Sequence, residues 1–202
     1  QLQTYLGMLR SPIRLIATLD DSETGIEMRN LLETIVGLSD KVSLDTSGRD
    51  ARTPSFVVVR EGETQGVRFA GLPLGHEFTS LVLALLWTGG HPPKVEQEVL
   101  DAIRALDGDF NFEVYMSLSC HNCPDVVQAL SLMAIFNPKV KTIVIEGGAF
   151  QQEVTEREIM AVPMVFLNGK VFGSGRMTVE EIVAKIDTGA SHREAAKINA
   201  KE

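Results

Sequence analysis

Ser117-Leu118-Ser119-Cys120-His121-Asn122-Cys123-Pro124 holds both cysteines of the 202-residue chain and separates two unlike patterns. Before it, Phe112-Glu113-Val114-Tyr115-Met116 alternates and is rich in β-formers, as a strand is. After it, Val126, Val127, Leu130, Met133 and Ala134 recur at helical spacing. The dithiol is therefore expected at a strand-to-helix turn, where the free N–H groups and the positive dipole end of the helix favour an anion. A thiol of ordinary pKa, about 8.5, is only a few per cent ionised at neutral pH, and one lowered to about 7 is roughly half ionised. Cys120 is the expected nucleophile. Cys123, inside the first turn and better shielded, is the expected resolving thiol. Pro124 suits a first helical turn, because the N–H it lacks would have had no intrahelical partner.

Other uses of a cysteine pair fit less well. A structural zinc site needs about four ligands at recognisable spacing; besides the pair, the chain offers His76, His91, His121 and His192, none in a second paired motif. A c-type haem needs histidine directly after the second cysteine, where Pro124 stands. A purely structural disulfide closing so short a loop gains little. Redox work is the leading reading.

The bulk composition narrows the classes. With 202 residues, 44% of them hydrophobic, the chain can bury one ample core or two modest ones. A net charge of -8 and a pI near 5.1 argue against nucleic-acid binding, which favours basic faces. Leu81-Val82-Leu83-Ala84-Leu85-Leu86-Trp87 is far too short to span a membrane and reads as a core helix. There is no secretory signal pattern at the start, and two cysteines in one motif fit a reducing cytosol. A cytoplasmic location follows as the expectation. Gln1 in place of an initiator Met suggests a processed or trimmed chain.

Along the chain, periodicity and turn residues predict a short helix over 3–10, a strand at 13–19, a helix from Ile26 to Val36, and strands at 42–44, 53–59 and 67–69. A helix over 77–87 follows. The second half predicts a helix over 94–106, the strand near Phe112, the dithiol helix ending near Asn137-Pro138, a strand at 140–145 and a helix around 153–159. Val162 to Leu167 then reads as a strand joined by Asn168-Gly169, a tight-hairpin signal, to Val171-Phe172; a last helix spans 178–186.

Set side by side, the halves repeat. Arg14-Leu15-Ile16 matches Glu113-Val114-Tyr115, Thr53-Pro54-Ser55-Phe56-Val57 matches Val162-Pro163-Met164-Val165-Phe166, and Phe69-Ala70-Gly71 matches Phe172-Gly173-Ser174. Each half runs strand, helix, strand, hairpin, helix, the pattern of an α/β fold with a mixed sheet flanked by helices, and the two sheets can join into one continuous sheet. Where the second copy has Cys120 to Cys123, the first has Asp21-Ser22-Glu23-Thr24 and cannot exchange disulfides. The expected division is 1–92 for the silent copy, 93–186 for the active copy, and 187–202 as a polar linker toward a portion absent from this chain.

Each half resembles a thioredoxin fold, and the tandem as a whole resembles the N-terminal region of the alkyl hydroperoxide reductase flavoproteins. The resemblance rests on Gly75-His76-Glu77-Phe78-Thr79-Ser80-Leu81 and its continuation to Pro92, on Ser117 to Leu130, and on Gly173-Ser174-Gly175-Arg176-Met177-Thr178. It implies a cis-proline at Pro163, with Pro54 its counterpart in the silent copy, holding the backbone beside the sulfurs. It implies a relay of electrons from a portion binding FAD and NADH, in the same polypeptide, to a peroxiredoxin, and a homodimer for the full-length protein. Glu77 is implied as a proton acceptor; as a first-turn carboxylate it equally suits the helix dipole. His121, between the sulfurs, would favour the thiolate when charged or simply face solvent. No dinucleotide fingerprint is expected in this chain: Gly173-Ser174-Gly175 lacks the remaining glycine and a long parallel crossover. The rival reading is a free-standing, glutaredoxin-like protein disulfide oxidoreductase with other clients. A third is a binding module that docks partners through the silent fold.

Overall fold

Alternating apolar positions and helical stripes assemble here into one sheet with its helices packed mainly against one face. The computed structural model describes residues 1–187; of the expected linker, 188–202 lie outside the described residues. In chain order the elements are α1 (Leu2–Leu6), β1 (Ile13–Thr18), α2 (Glu23–Leu38), β2 (Val42–Asp45), β3 (Ser55–Arg60) and β4 (Val67–Ala70). A 3-10 turn (Gly75–Glu77) leads into α3 (Phe78–Thr88). Then follow α4 (Gln97–Ala105), β5 (Phe110–Met116), α5 (Cys123–Phe136), β6 (Val140–Glu146), α6 (Gln151–Glu156), β7 (Met164–Leu167), β8 (Lys170–Ser174) and α7 (Val179–Ile186).

The eight strands run β2-β1-β3-β4-β6-β5-β7-β8. β1 pairs in parallel with β2 and antiparallel with β3, which pairs antiparallel with β4. β5 repeats the same pattern with β6, β7 and β8. The two sets join where β4 lies parallel to β6, with Phe69 opposite Val144. Joining edge to edge covers two rows of backbone N–H and C=O groups that would otherwise template aggregation.

The main core gathers Leu15, Phe56, Phe69, Leu85, Phe112 and Leu130 beneath α3 and α5, which pack on each other. Phe56 stacks on Phe69 with centroids 5.4 Å apart. A smaller cluster on the opposite face holds Ala70, Tyr115, Ile145, Ile159 and Phe166. Its polar rim ties the first strand set to the second. Arg52, in the loop before β3, donates from Nε to both oxygens of Glu153, at 3.2 and 3.0 Å, and pairs through Nη2 with Glu113. Arg157 donates to Glu113 at 3.1 Å, and the Tyr115 hydroxyl donates to Glu153 at 2.6 Å. Burial, together with the Glu153 contact, pushes the Tyr115 phenol up to about 12.

Several boundaries differ from the expected ones for physical reasons. α1 stops at Leu6, with Gly7 at its C-cap, instead of running to Arg10. α4 starts at Gln97, since Glu96 is extended (ψ 143) and ends the stretch led by Pro92-Pro93. α6 covers Gln151–Glu156; Glu158 adopts φ 54, turning the chain so that Ile159 enters the smaller cluster. The hairpin signal is realised as read: Asn168 and Gly169, both at positive φ, turn β7 into β8. Ser22, which the sequence reading did not single out, caps α2 by accepting from Gly25 N.

Candidate active site

The dithiol sits at the end of β5, where the chain leaves the sheet and enters α5. Cys123 is the first helical residue and Asn122 the N-cap; Cys120 lies in the turn before them. The two sulfurs form a disulfide, with Cα atoms 5.6 Å apart. Cys123 is 0% exposed, while Cys120 is half-buried. A reagent therefore meets Cys120 first, and Cys123 is reached only through it. Pro124 occupies the first turn of α5.

Val162–Pro163 is cis, as is Thr53–Pro54 at the matching place in the first strand set. The Val162 carbonyl oxygen lies 3.7 Å from Cys120 Sγ; a disulfide sulfur carries no proton, so this is a contact and not a hydrogen bond. Val162 and Met164 are half-buried beside it, and Met160 is 91% exposed. An extended segment laid against this backbone would place its own sulfur next to Cys120.

The first half of the chain reaches the site through the 3-10 turn. His76 N donates to Leu118 O at 2.9 Å. Gly75 lies at φ +56, where a Cβ would come within 2.7 Å of the same carbonyl; a side chain there would be strained and would push the turn away. His76 then meets His121 in a tilted ring contact, centroids 4.3 Å apart and planes at 56°, so an imidazole from each half meets at the sulfurs' loop. Asp125, in the first turn of α5, is exposed and pairs with Arg176 at 3.0 Å.

Glu77 is the anomalous group. It is 0% exposed, accepts from Ser80 Oγ at 2.7 Å through Oε1, and has no hydrogen-bond partner at Oε2. Burial drives its pKa up, against the pull of the Ser80 hydrogen bond, to about 7. A carboxyl so tuned changes protonation near neutral pH, which suits a proton carrier. Gln128 of α5 donates to Ser80 Oγ at 3.2 Å. Sequence reasoning did not single out Ser80 or Gln128. Ser80 stands one helical turn from Glu77, a spacing that could have flagged it; nothing in the sequence links Gln128 to either.

Among the described residues, no group of three or more His, Cys, Asp or Glu is placed to hold a metal ion, and no helix is long and apolar enough to cross a membrane. Gly173 and Ser174 lie in β8, antiparallel to β7 at the sheet edge. That is not the parallel strand-to-helix crossover that cradles a pyrophosphate, so these residues do not fit a dinucleotide.

Comparison with known proteins places this geometry among relatives. Residues 110–188 match the thioredoxin domain family. The F subunit of the Escherichia coli alkyl hydroperoxide reductase is 59% identical over 203 residues, covering 100% of this chain and 39% of that protein. A Bacillus subtilis protein named NADH dehydrogenase is 49% identical over 97% of this chain and 38% of its own length. The chain thus spans well under half of these relatives. Among solved structures, the N-terminal domain of the Enterococcus faecalis alkylhydroperoxide reductase AhpF superposes with a TM-score of 0.82 at 31% identity, covering 92% of this chain and 96% of that one.

Proposed function

The chain belongs to the AhpF family of alkyl hydroperoxide reductases, matching the N-terminal domain of one member over 92% of its own length, and on that premise we propose that it relays electrons as a thiol-disulfide oxidoreductase. It takes reducing equivalents from an FAD- and NADH-binding remainder of the polypeptide and passes them to the disulfide of a peroxiredoxin. Residues 1–92 act as the copy without a dithiol and 93–186 as the working copy. The observation that carries this reading is the disulfide at a helix start, with Cys120 half-buried and Cys123 fully buried, next to the Val162 carbonyl.

In the reduced domain, Cys120 thiolate attacks one sulfur of the partner disulfide; an intermolecular S–S bond forms and the partner's other sulfur leaves as a thiolate. Cys123 then loses its proton to the Glu77 carboxylate and attacks Cys120 Sγ. The intermolecular bond breaks, the second partner thiolate departs, and the Cys120–Cys123 disulfide is restored. Two electrons have moved to the partner. Pro163 and Val162 hold the incoming segment, and the N-terminal end of α5 stabilises the Cys120 anion.

The test is a trapping experiment. A Cys123→Ser chain incubated with oxidised peroxiredoxin should accumulate a covalent, dithiothreitol-sensitive complex, and a Cys120→Ser chain should give none. Trapping by Cys120→Ser instead, or by neither, would refute the assignment.

A further inference from the structure

We propose that Ser80 and Gln128 are positioning residues that aim the Glu77 carboxyl at the dithiol, which makes the resolving step depend on a hydrogen-bond chain crossing from α5 into α3. This rests on the reading of Glu77 as the proton acceptor for Cys123. The chain runs Gln128 Nε2 to Ser80 Oγ, 3.2 Å, and Ser80 Oγ to Glu77 Oε1, 2.7 Å. A serine hydroxyl has one proton to give. In a helix it otherwise turns back to a carbonyl of the preceding turn. With the Gln128 amide occupying the acceptor side of Oγ, that proton is directed to Glu77 Oε1.

The consequence lies at the other oxygen. Oε1 is committed to Ser80, so Oε2, buried and without a partner, is the oxygen left to take up and release a proton. The second half of the chain reaches Glu77 by two routes. Leu118 O of the dithiol loop accepts from His76 N at 2.9 Å and fixes the backbone of the turn; Gln128 acts on the carboxyl through Ser80. Gln128 lies on the helix that Cys123 begins, so the helix carrying the buried thiol also sets the orientation of its base.

Among the described residues, other ionisable groups near Glu77 are few. His76 belongs to the same 3-10 turn and its ring contacts that of His121 in the dithiol loop; on α5, Asp125 is paired with Arg176. α3 itself contributes no charged side chain over Phe78–Thr88. The proton on Glu77 is therefore favoured by burial and opposed mainly by the Ser80 bond, and removing that bond should raise the carboxyl's pKa, because the hydrogen bond favours the charged form.

The experiment separates the two chemical steps. The reduced 202-residue chain, in excess, is mixed rapidly with dithiobis-nitrobenzoate. A first, concentration-dependent release of thionitrobenzoate reports attack by Cys120; a second, first-order release reports resolution by Cys123. In Ser80→Ala the acid limb of the second phase should move up by about one pH unit, slowing it roughly tenfold below the midpoint. The first phase should move by less. Gln128→Met, near-isosteric at a half-buried position, should shift the second phase the same way by a smaller amount, and Ser80→Thr, which keeps the hydroxyl, should restore the limb. Second-phase profiles of Ser80→Ala and Gln128→Met that overlay the wild type would overturn the proposal. So would equal shifts of both phases. Glu77→Gln tells the two readings apart: if it abolishes the limb while Ser80→Ala leaves it in place, the positioning role fails and the proton acceptor stands. If Glu77→Gln leaves the limb intact, the acceptor itself is wrong.

Discussion

A buried carboxyl with one empty oxygen is costly, and the cost is measurable in stability as well as in rate. Glu77 titrates near 7 in the folded chain because burial disfavours its anion, while an unfolded glutamate titrates near about 4.3. A group raised on folding contributes its full stability below the unfolded value and loses it as pH rises through the folded one. Wild-type stability should therefore fall by about 3 kcal/mol between roughly pH 4 and pH 8. Glu77→Gln should remove most of that fall, as read from urea midpoints of the disulfide form; an unchanged slope would show that Glu77 is not buried as an acid. At this scale the sequence was partly informative. The cysteines, Pro163 and Glu77 stood out from motif and resemblance, whereas the empty Oε2 and the ring contact of His76 with His121 depend on the meeting of segments some forty residues apart. No local pattern encodes such a meeting.

Among the elements, the join between the two strand sets is reinforced by charge on the face away from α3 and α5. Arg52 meets Glu113 and Glu153 with side-chain exposures of 18%, 15% and 26%, far less than surface pairs enjoy. Removing the arginine would leave two carboxylates facing each other near Tyr115. Arg52→Met should cost about 2 to 3 kcal/mol in urea unfolding, whereas Arg14→Met, which loses a 3.8 Å contact with Asp45 and an exposed hydrogen bond to Glu63 O, should cost less than about 1 kcal/mol. Equal effects would mean that the cluster is solvated and adds little. The elements were largely legible because their signals are local: Asn168-Gly169 between apolar runs, Thr178 before α7. Where tertiary packing dictated the break, as at Glu158 and Ile159, periodicity placed the helix a few residues too late.

For the molecule as a whole, the repeat in the sequence foretold two sets of four strands able to join in one sheet, but not which strands meet. The β4–β6 pairing puts two apolar strands side by side, and apolar edges carry no address for a particular partner. That pairing brings the 3-10 turn of the dithiol-free half against Leu118 and the dithiol loop. The copy that lacks cysteines thereby supplies the buried carboxyl, one imidazole and a wall of the site, which accounts physically for two folds serving one reaction. The central claim is that Cys120 is the point through which electrons leave for a peroxiredoxin. Its most direct test combines NADH, the separately produced flavoprotein remainder, a peroxiredoxin and a hydroperoxide, and follows NADH consumption. The account predicts consumption that requires this chain and disappears with Cys120→Ser; consumption at an undiminished rate without the chain, or with Cys120→Ser in its place, would contradict it.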